Sequence, residues 1–100
     1  MGVIALFGAG EMGEALLAGL VRSGHESAGI LVVEPRAEHA QRLREEYGIT
    51  TAPARKAAEP AETVLIVVRP QDVPGLLAAI APHLRPDCLL VSGRPASRRD

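Results

Sequence analysis

Val3-Ile4-Ala5-Leu6-Phe7-Gly8-Ala9-Gly10-Glu11-Met12-Gly13 is the stretch that decides the fold of this 100-residue chain. Five apolar residues run without a break into a glycine, the mark of a strand covered on both faces of a parallel sheet. From Glu11 to about Ser23 the period changes. Met12, Leu16 and Leu20 recur at four, Ala15 and Gly19 lie beside them, and Gly24 supplies a stop. A helix with Met12, Leu16 and Leu20 on its apolar face is therefore expected. In a strand–turn–helix setting the G-x-G-x-x-G of residues 8–13 has a physical meaning. Gly8 permits the tight turn, Gly10 lets the backbone approach a pyrophosphate, and Gly13 lets the helix pack closely. Unpaired N–H groups at the helix start, together with its dipole, favour the phosphate charge. Ala9, Glu11 and Met12 complete the turn. Glu11 suits the dipole but opposes a phosphate unless its side chain points outward.

Working outward, Ile30-Leu31-Val32-Val33 is a second apolar run, closed by Glu34 and Pro35. Glu34 lies 21 residues beyond Gly13, where a carboxylate accepts hydrogen bonds from the ribose hydroxyls of a dinucleotide. Such a carboxylate favours NAD, because a 2′-phosphate would meet like charge. Arg36 could instead grip that phosphate with its planar fork, which favours NADP. The residues leave both open. The competing reading is a glycine turn that merely starts a helix, with Glu34 a solvated acid at a strand end.

Residues 36–47 read as a surface helix with Leu43 and Tyr47 on a narrow buried face, ended by Gly48. Its charges are most simply a solvated face. Ile49 to Thr51 can form a short third strand, and residues 53–62 at best one or two helical turns. Thr63 to Val68 is the strongest strand signal, apolar and β-branched. Asp72 to Ala81 reads as a helix that Asp72 can cap, with Pro74 tolerated in the first turn. Cys88 to Val91 is a fifth strand. Strands alternating with helices imply βαβ units, hence an α/β fold: a Rossmann-like, doubly wound parallel sheet of about five strands. The first strand should sit at the centre, with the third and fifth toward the edges. The expected organisation is one NAD(P)-binding domain over residues 1–92 and a disordered polar tail over 93–100.

Composition bounds the function. A chain this long buries roughly two-thirds of its unfolded surface, enough for a core. Its 47% hydrophobic and 23% charged residues are ordinary for a globular domain. A net charge of −1 gives no general pull toward nucleic acid or an anionic membrane. One cysteine allows no internal disulfide, and no apolar run is long enough to span a bilayer. The cytoplasm is the expected compartment. His25, His39 and His83 lack ligand spacing, so no metal site is expected and none is given a role. Cys88 is expected to be an inert core thiol.

Two segments resemble a known family. Gly8-Ala9-Gly10-Glu11-Met12-Gly13-Glu14-Ala15-Leu16-Leu17-Ala18-Gly19-Leu20 is similar to the G-x-G-x-M-G-x-A-L-x-x-G-L opening of pyrroline-5-carboxylate reductases. Val67-Val68-Arg69-Pro70-Gln71 is similar to their V-K-P-Q signature, with arginine in place of the usual lysine. Ala81-Pro82-His83-Leu84 also fits. The resemblance implies NAD(P)H-dependent reduction of 1-pyrroline-5-carboxylate to L-proline, with NADP or NAD as cofactor and a small-molecule substrate. It places Gly8, Gly10, Glu11, Met12 and Gly13 along the pyrophosphate turn, and Arg69, Pro70 and Gln71 beside the nicotinamide ribose. In that family a helical domain follows, forming the dimer and binding the substrate. From the divergent residues 93–100 the chain is expected to be truncated and by itself inactive. An apolar fifth strand at an uncovered edge is expected to invite self-association. Two other readings stand beside this one: a non-catalytic dinucleotide-binding module that pairs with a partner chain, and a deazaflavin-dependent NADP reductase of similar fold.

Overall fold

A computed structural model describes residues 2–92. The tail expected over 93–100 lies outside the described residues. Five strands form one parallel sheet: β1 (Ile4–Phe7), β2 (Ile30–Val33), β3 (Thr50–Thr51), β4 (Thr63–Ile66) and β5 (Leu89–Ser92), in the order β3-β2-β1-β4-β5. The first strand is central, and the third and fifth are at the edges. The helices are α1 (Glu11–Arg22), α2 (Ala37–Tyr47), α3 (Ala54–Ala58) and α4 (Val73–Ile80).

Side-chain alternation along the strands splits the core into two layers. Leu6, Ile30 and Val32 face one way and meet Leu17 of α1, Leu43 of α2 and Ile49. Ala5, Phe7, Val64 and Ile66 face the other way and meet Ala57 and Ala58 of α3 and Ile80 of α4. Alanines at 57, 58 and 61 let the short α3 lie close to the sheet. Both layers are apolar, and no buried residue among those described is polar or charged.

Several elements depart from expectation. In α1 the face turned to the sheet is Gly13 and Leu17, with Leu20 and Val21 packed beside them; Met12 and Leu16 are exposed. The close approach at Gly13 sets the rotation of the helix, and the four-residue apolar spacing does not. Asp72 does not cap α4. No side chain caps that helix, and the Asp72 carboxylate pairs with Arg69 Nε at 3.1 Å across a 3₁₀ turn over Pro70–Asp72. Pro74 does sit in the first turn. Cys88 precedes β5 and does not lie in it. Half-buried, its N–H is bonded to Arg85 O at 3.1 Å. Burial pushes its thiol pKa up and Asp87 adds to this, which keeps it protonated.

Candidate functional site

Parallel strands end together on one side, and here three ends are in register. Phe7 pairs with Val33 on one flank and with Ile66 on the other. The glycine turn leaves β1, Glu34 leaves β2, and Val67 to Gln71 leaves β4, so the residues expected to meet a dinucleotide gather along this carboxyl edge.

Gly8 has φ +96°, a left-handed conformation that a side chain disfavours. A Cβ there would also lie 2.8 Å from Val67 O, which brings the end of β4 against the turn. At Gly13 a Cβ would collide with the carbonyl oxygen of Gly8. The turn is thus closed on itself by two glycines. Gly10 differs: a Cβ would meet nothing within 4 Å, so the space before it is open. Gly10 is the N-cap of α1, and no side chain caps the amides of this first turn. A charged or polar ligand would find bare N–H groups there. Ala9 is buried, while Glu11 and Met12 are exposed.

Glu34 is held in a specific way. Its side chain is only 3% exposed, and Arg36 holds it by three hydrogen bonds: the Arg36 backbone N–H donates to Oε2 at 2.8 Å, Nε to Oε2 at 2.9 Å and Nη2 to Oε1 at 3.2 Å, which leaves Oε1 able to accept another. Burial alone would raise the pKa of this carboxyl, but the Arg36 hydrogen bonds outweigh it and hold it below the ordinary value. Beside the pair lies a cavity of about 440 Å³ lined by Val33 to Pro35 and Thr51 to Ala54. Its size falls within the range of small-molecule sites. Arg69, Pro70 and Gln71 are exposed at the β4 end, with Arg69 paired to Asp72.

Sequence reading missed a layer of support behind the turn. His39 of α2 places Nε2 2.6 Å from Ala9 O. Arg42 donates to Glu14 of α1 at 2.6 and 3.2 Å and to Glu46 at 2.7 Å, and the Tyr47 hydroxyl donates to Glu14 Oε2 at 2.9 Å. Arg42, then Tyr47, hold the Glu14 carboxyl below the usual range, and Glu14 pushes the Tyr47 phenol up to about 12. The charges of α2, expected to be a solvated face, in part tie this helix to α1. A helix carrying His and Arg three apart opposite an acid in the preceding helix was the available signal. Among the described residues, no group of His, Cys, Asp and Glu could hold a metal ion, and no helix is long and apolar enough to cross a membrane.

Known proteins resemble this chain over most of its length. Pyrroline-5-carboxylate reductase of Mycobacterium tuberculosis is 37% identical over 81 residues, covering 81% of this chain and 28% of that protein. Among solved structures, a pyrroline-5-carboxylate reductase from Coxiella burnetii superposes with a TM-score of 0.85 at 22% identity, over 91% of this chain and 34% of that one. Plasmodium falciparum pyrroline carboxylate reductase, solved with NADP bound, gives 0.76 at 19% identity over 91% and 32%. These neighbours share the Rossmann-like fold, and the chain spans about a third of their length. A family model described as NADP oxidoreductase coenzyme F420-dependent matches residues 3–94. By that match the chain belongs to the NADP oxidoreductase coenzyme F420-dependent family, and its curated relatives carry the pyrroline-5-carboxylate reductase name that its two motifs implied.

Proposed function

We propose that this chain is the dinucleotide-binding part of an NAD(P)H-dependent oxidoreductase of the pyrroline-5-carboxylate reductase type. The observation that carries the reading is the open, uncapped start of α1 at Gly10, set in a turn that Gly8 and Gly13 close from behind. Bare amides and unobstructed space at a helix N-terminus suit a pyrophosphate. The adjoining cavity suits an adenine and its ribose, and Arg69, Pro70 and Gln71 would flank the nicotinamide ribose. Glu11 is exposed, which lets its carboxylate stay clear of the phosphates.

The Glu34–Arg36 pair supports both cofactors. Glu34 can accept from ribose hydroxyls, and the Arg36 guanidinium, 65% exposed, can turn to a 2′-phosphate. With Arg36 neutralising Glu34, like-charge repulsion no longer forbids NADP. The reaction proposed for the whole enzyme is reduction of 1-pyrroline-5-carboxylate to L-proline. The reduced nicotinamide, when bound, supplies hydride to the C=N carbon, and a proton goes to nitrogen. These residues hold and orient the cofactor; none is assigned as proton donor or substrate anchor. The 100-residue polypeptide is therefore expected to bind nucleotide without turnover.

Calorimetric titration of the chain with NADPH and NADH tests the binding. Saturation by at least one is expected, and no heat from either at millimolar ligand overturns the reading. Arg36→Ala is expected to weaken NADPH about tenfold relative to NADH, as loss of a charge-assisted contact. Proline formation by the pure polypeptide would overturn the statement on turnover. A second reading, a non-catalytic nucleotide-binding module that pairs with a partner chain, is favoured by β5, whose outer edge is unpaired among the described residues and whose Leu89, Leu90 and Val91 are exposed. Its sign is a defined complex on size-exclusion chromatography.

A further inference from the structure

His39 was given no role by sequence, yet it is the residue of α2 that touches the phosphate turn itself. Its Nε2 lies 2.6 Å from Ala9 O, and its Nδ1 lies 3.5 Å from Arg42 Nη2. A guanidinium has no acceptor, so the Arg42 side can only donate, and Nδ1 must accept. That leaves the proton on Nε2, which donates to the Ala9 carbonyl. Arg42 is in turn fixed by Glu14 and Glu46, so the imidazole is held from behind by an ion-paired side chain.

The consequence follows from peptide geometry. The Ala9–Gly10 peptide is planar, and the chain contains no cis bond among its described residues. In a trans peptide the carbonyl oxygen and the next amide hydrogen point in opposite directions. Drawing the Ala9 oxygen toward α2 therefore turns the Gly10 N–H away from it, and among the described residues no backbone carbonyl accepts that N–H. We infer that His39 is a positioning residue for the dinucleotide: by anchoring the Ala9 carbonyl it aims the Gly10 amide at the pyrophosphate. The inference rests on the nucleotide-binding reading above and adds a residue outside the glycine motif to it. Without the anchor, the Ala9–Gly10 peptide can rotate, and part of the binding free energy goes into fixing it.

The test compares His39→Leu, which fills the space without a donor, with His39→Gln, whose amide NH₂ can reach the position of Nε2. Affinity for whichever of NADPH or NADH the unaltered chain binds is measured by calorimetry. His39→Leu is expected to weaken it about five- to tenfold, the worth of one hydrogen bond, with Gln restoring it to within about twofold. Equal affinity of the Leu variant and the unaltered chain overturns the inference, as does a Gln variant no better than Leu. Should the Leu variant fail to fold, the Gln variant and ¹⁵N spectroscopy of the unaltered chain decide. A neutral imidazole protonated at Nε2 and a Gly10 amide resonance that moves on adding nucleotide support the inference. A proton on Nδ1 or an unmoved Gly10 resonance overturns it. If the unaltered chain binds neither nucleotide, the functional reading itself falls, a result distinct from loss of the His39 effect alone.

Discussion

A methyl group added at Gly13 would strike the Gly8 carbonyl oxygen, backbone against backbone, whereas one added at Gly10 meets nothing within 4 Å. Gly10→Ala is therefore expected to fold with a loss within about 1 kcal/mol, since φ there is −71°, while dinucleotide binding falls below detection. Gly13→Ala is expected to cost about 1–3 kcal/mol of stability, as overpacking does, in thermal unfolding. Equal stability of the two would show that the turn is not closed by contact at Gly13. The Tyr47–Glu14 bond makes a second prediction. A phenol whose pKa rises from 10.0 to about 12 on folding holds its proton more tightly in the folded state. Its contribution is fully present below pH 10 and is lost as pH climbs from 10 to 12. Tyr47→Phe should flatten that part of the stability–pH curve; an unchanged curve would exclude the bond. The geometry of the glycine turn was legible because it is contained in six consecutive residues. The roles of His39, Arg42 and Tyr47 were not, because their partners lie 30, 28 and 33 residues away.

At the scale of elements, apolar runs located β1, β2 and β4 well because each is buried or half-buried on both faces, whereas β5 is apolar yet exposed along its length. The error in α1 has a physical cause. Met12, Leu16 and Leu20 fit a helical stripe, but a glycine that must touch the turn outranks hydrophobicity in choosing which side faces the sheet. Met12 and Leu16 are left 38% and 40% exposed. Asp72 shows the same kind of competition, since a nearby Arg69 outbid the backbone amides for its carboxylate. The edge strand β5 carries no charge and no proline to deter pairing. Leu89, 61% exposed, is expected to tolerate lysine with little change in thermal stability. Leu89→Lys should convert any β5-mediated dimer or aggregate to monomer in light scattering. An unaltered mass distribution would mean that association, if present, uses another surface.

At the scale of the molecule, alternation of strand and helix together with right-handed crossovers left few topologies, and the order β3-β2-β1-β4-β5 was among those expected. The proposed site lies where that order places three strand ends side by side, so a bound dinucleotide would bridge β1, β2 and β4. Binding should stabilise the whole fold: at one hundred times Kd the gain is about 2.7 kcal/mol, which raises Tm by roughly 10 °C or more in a domain this small. An unmoved Tm at saturating nucleotide would place the ligand outside the cooperative unit. One detail of the α1–α2 junction reaches further. The chain has no tryptophan and a single tyrosine, and that tyrosine is the one bridged to Glu14. Ultraviolet absorbance thus becomes a single-site signal, in which alkaline phenolate formation reports one interhelical bond. The blue emission of a reduced nicotinamide can then be watched against an almost dark polypeptide.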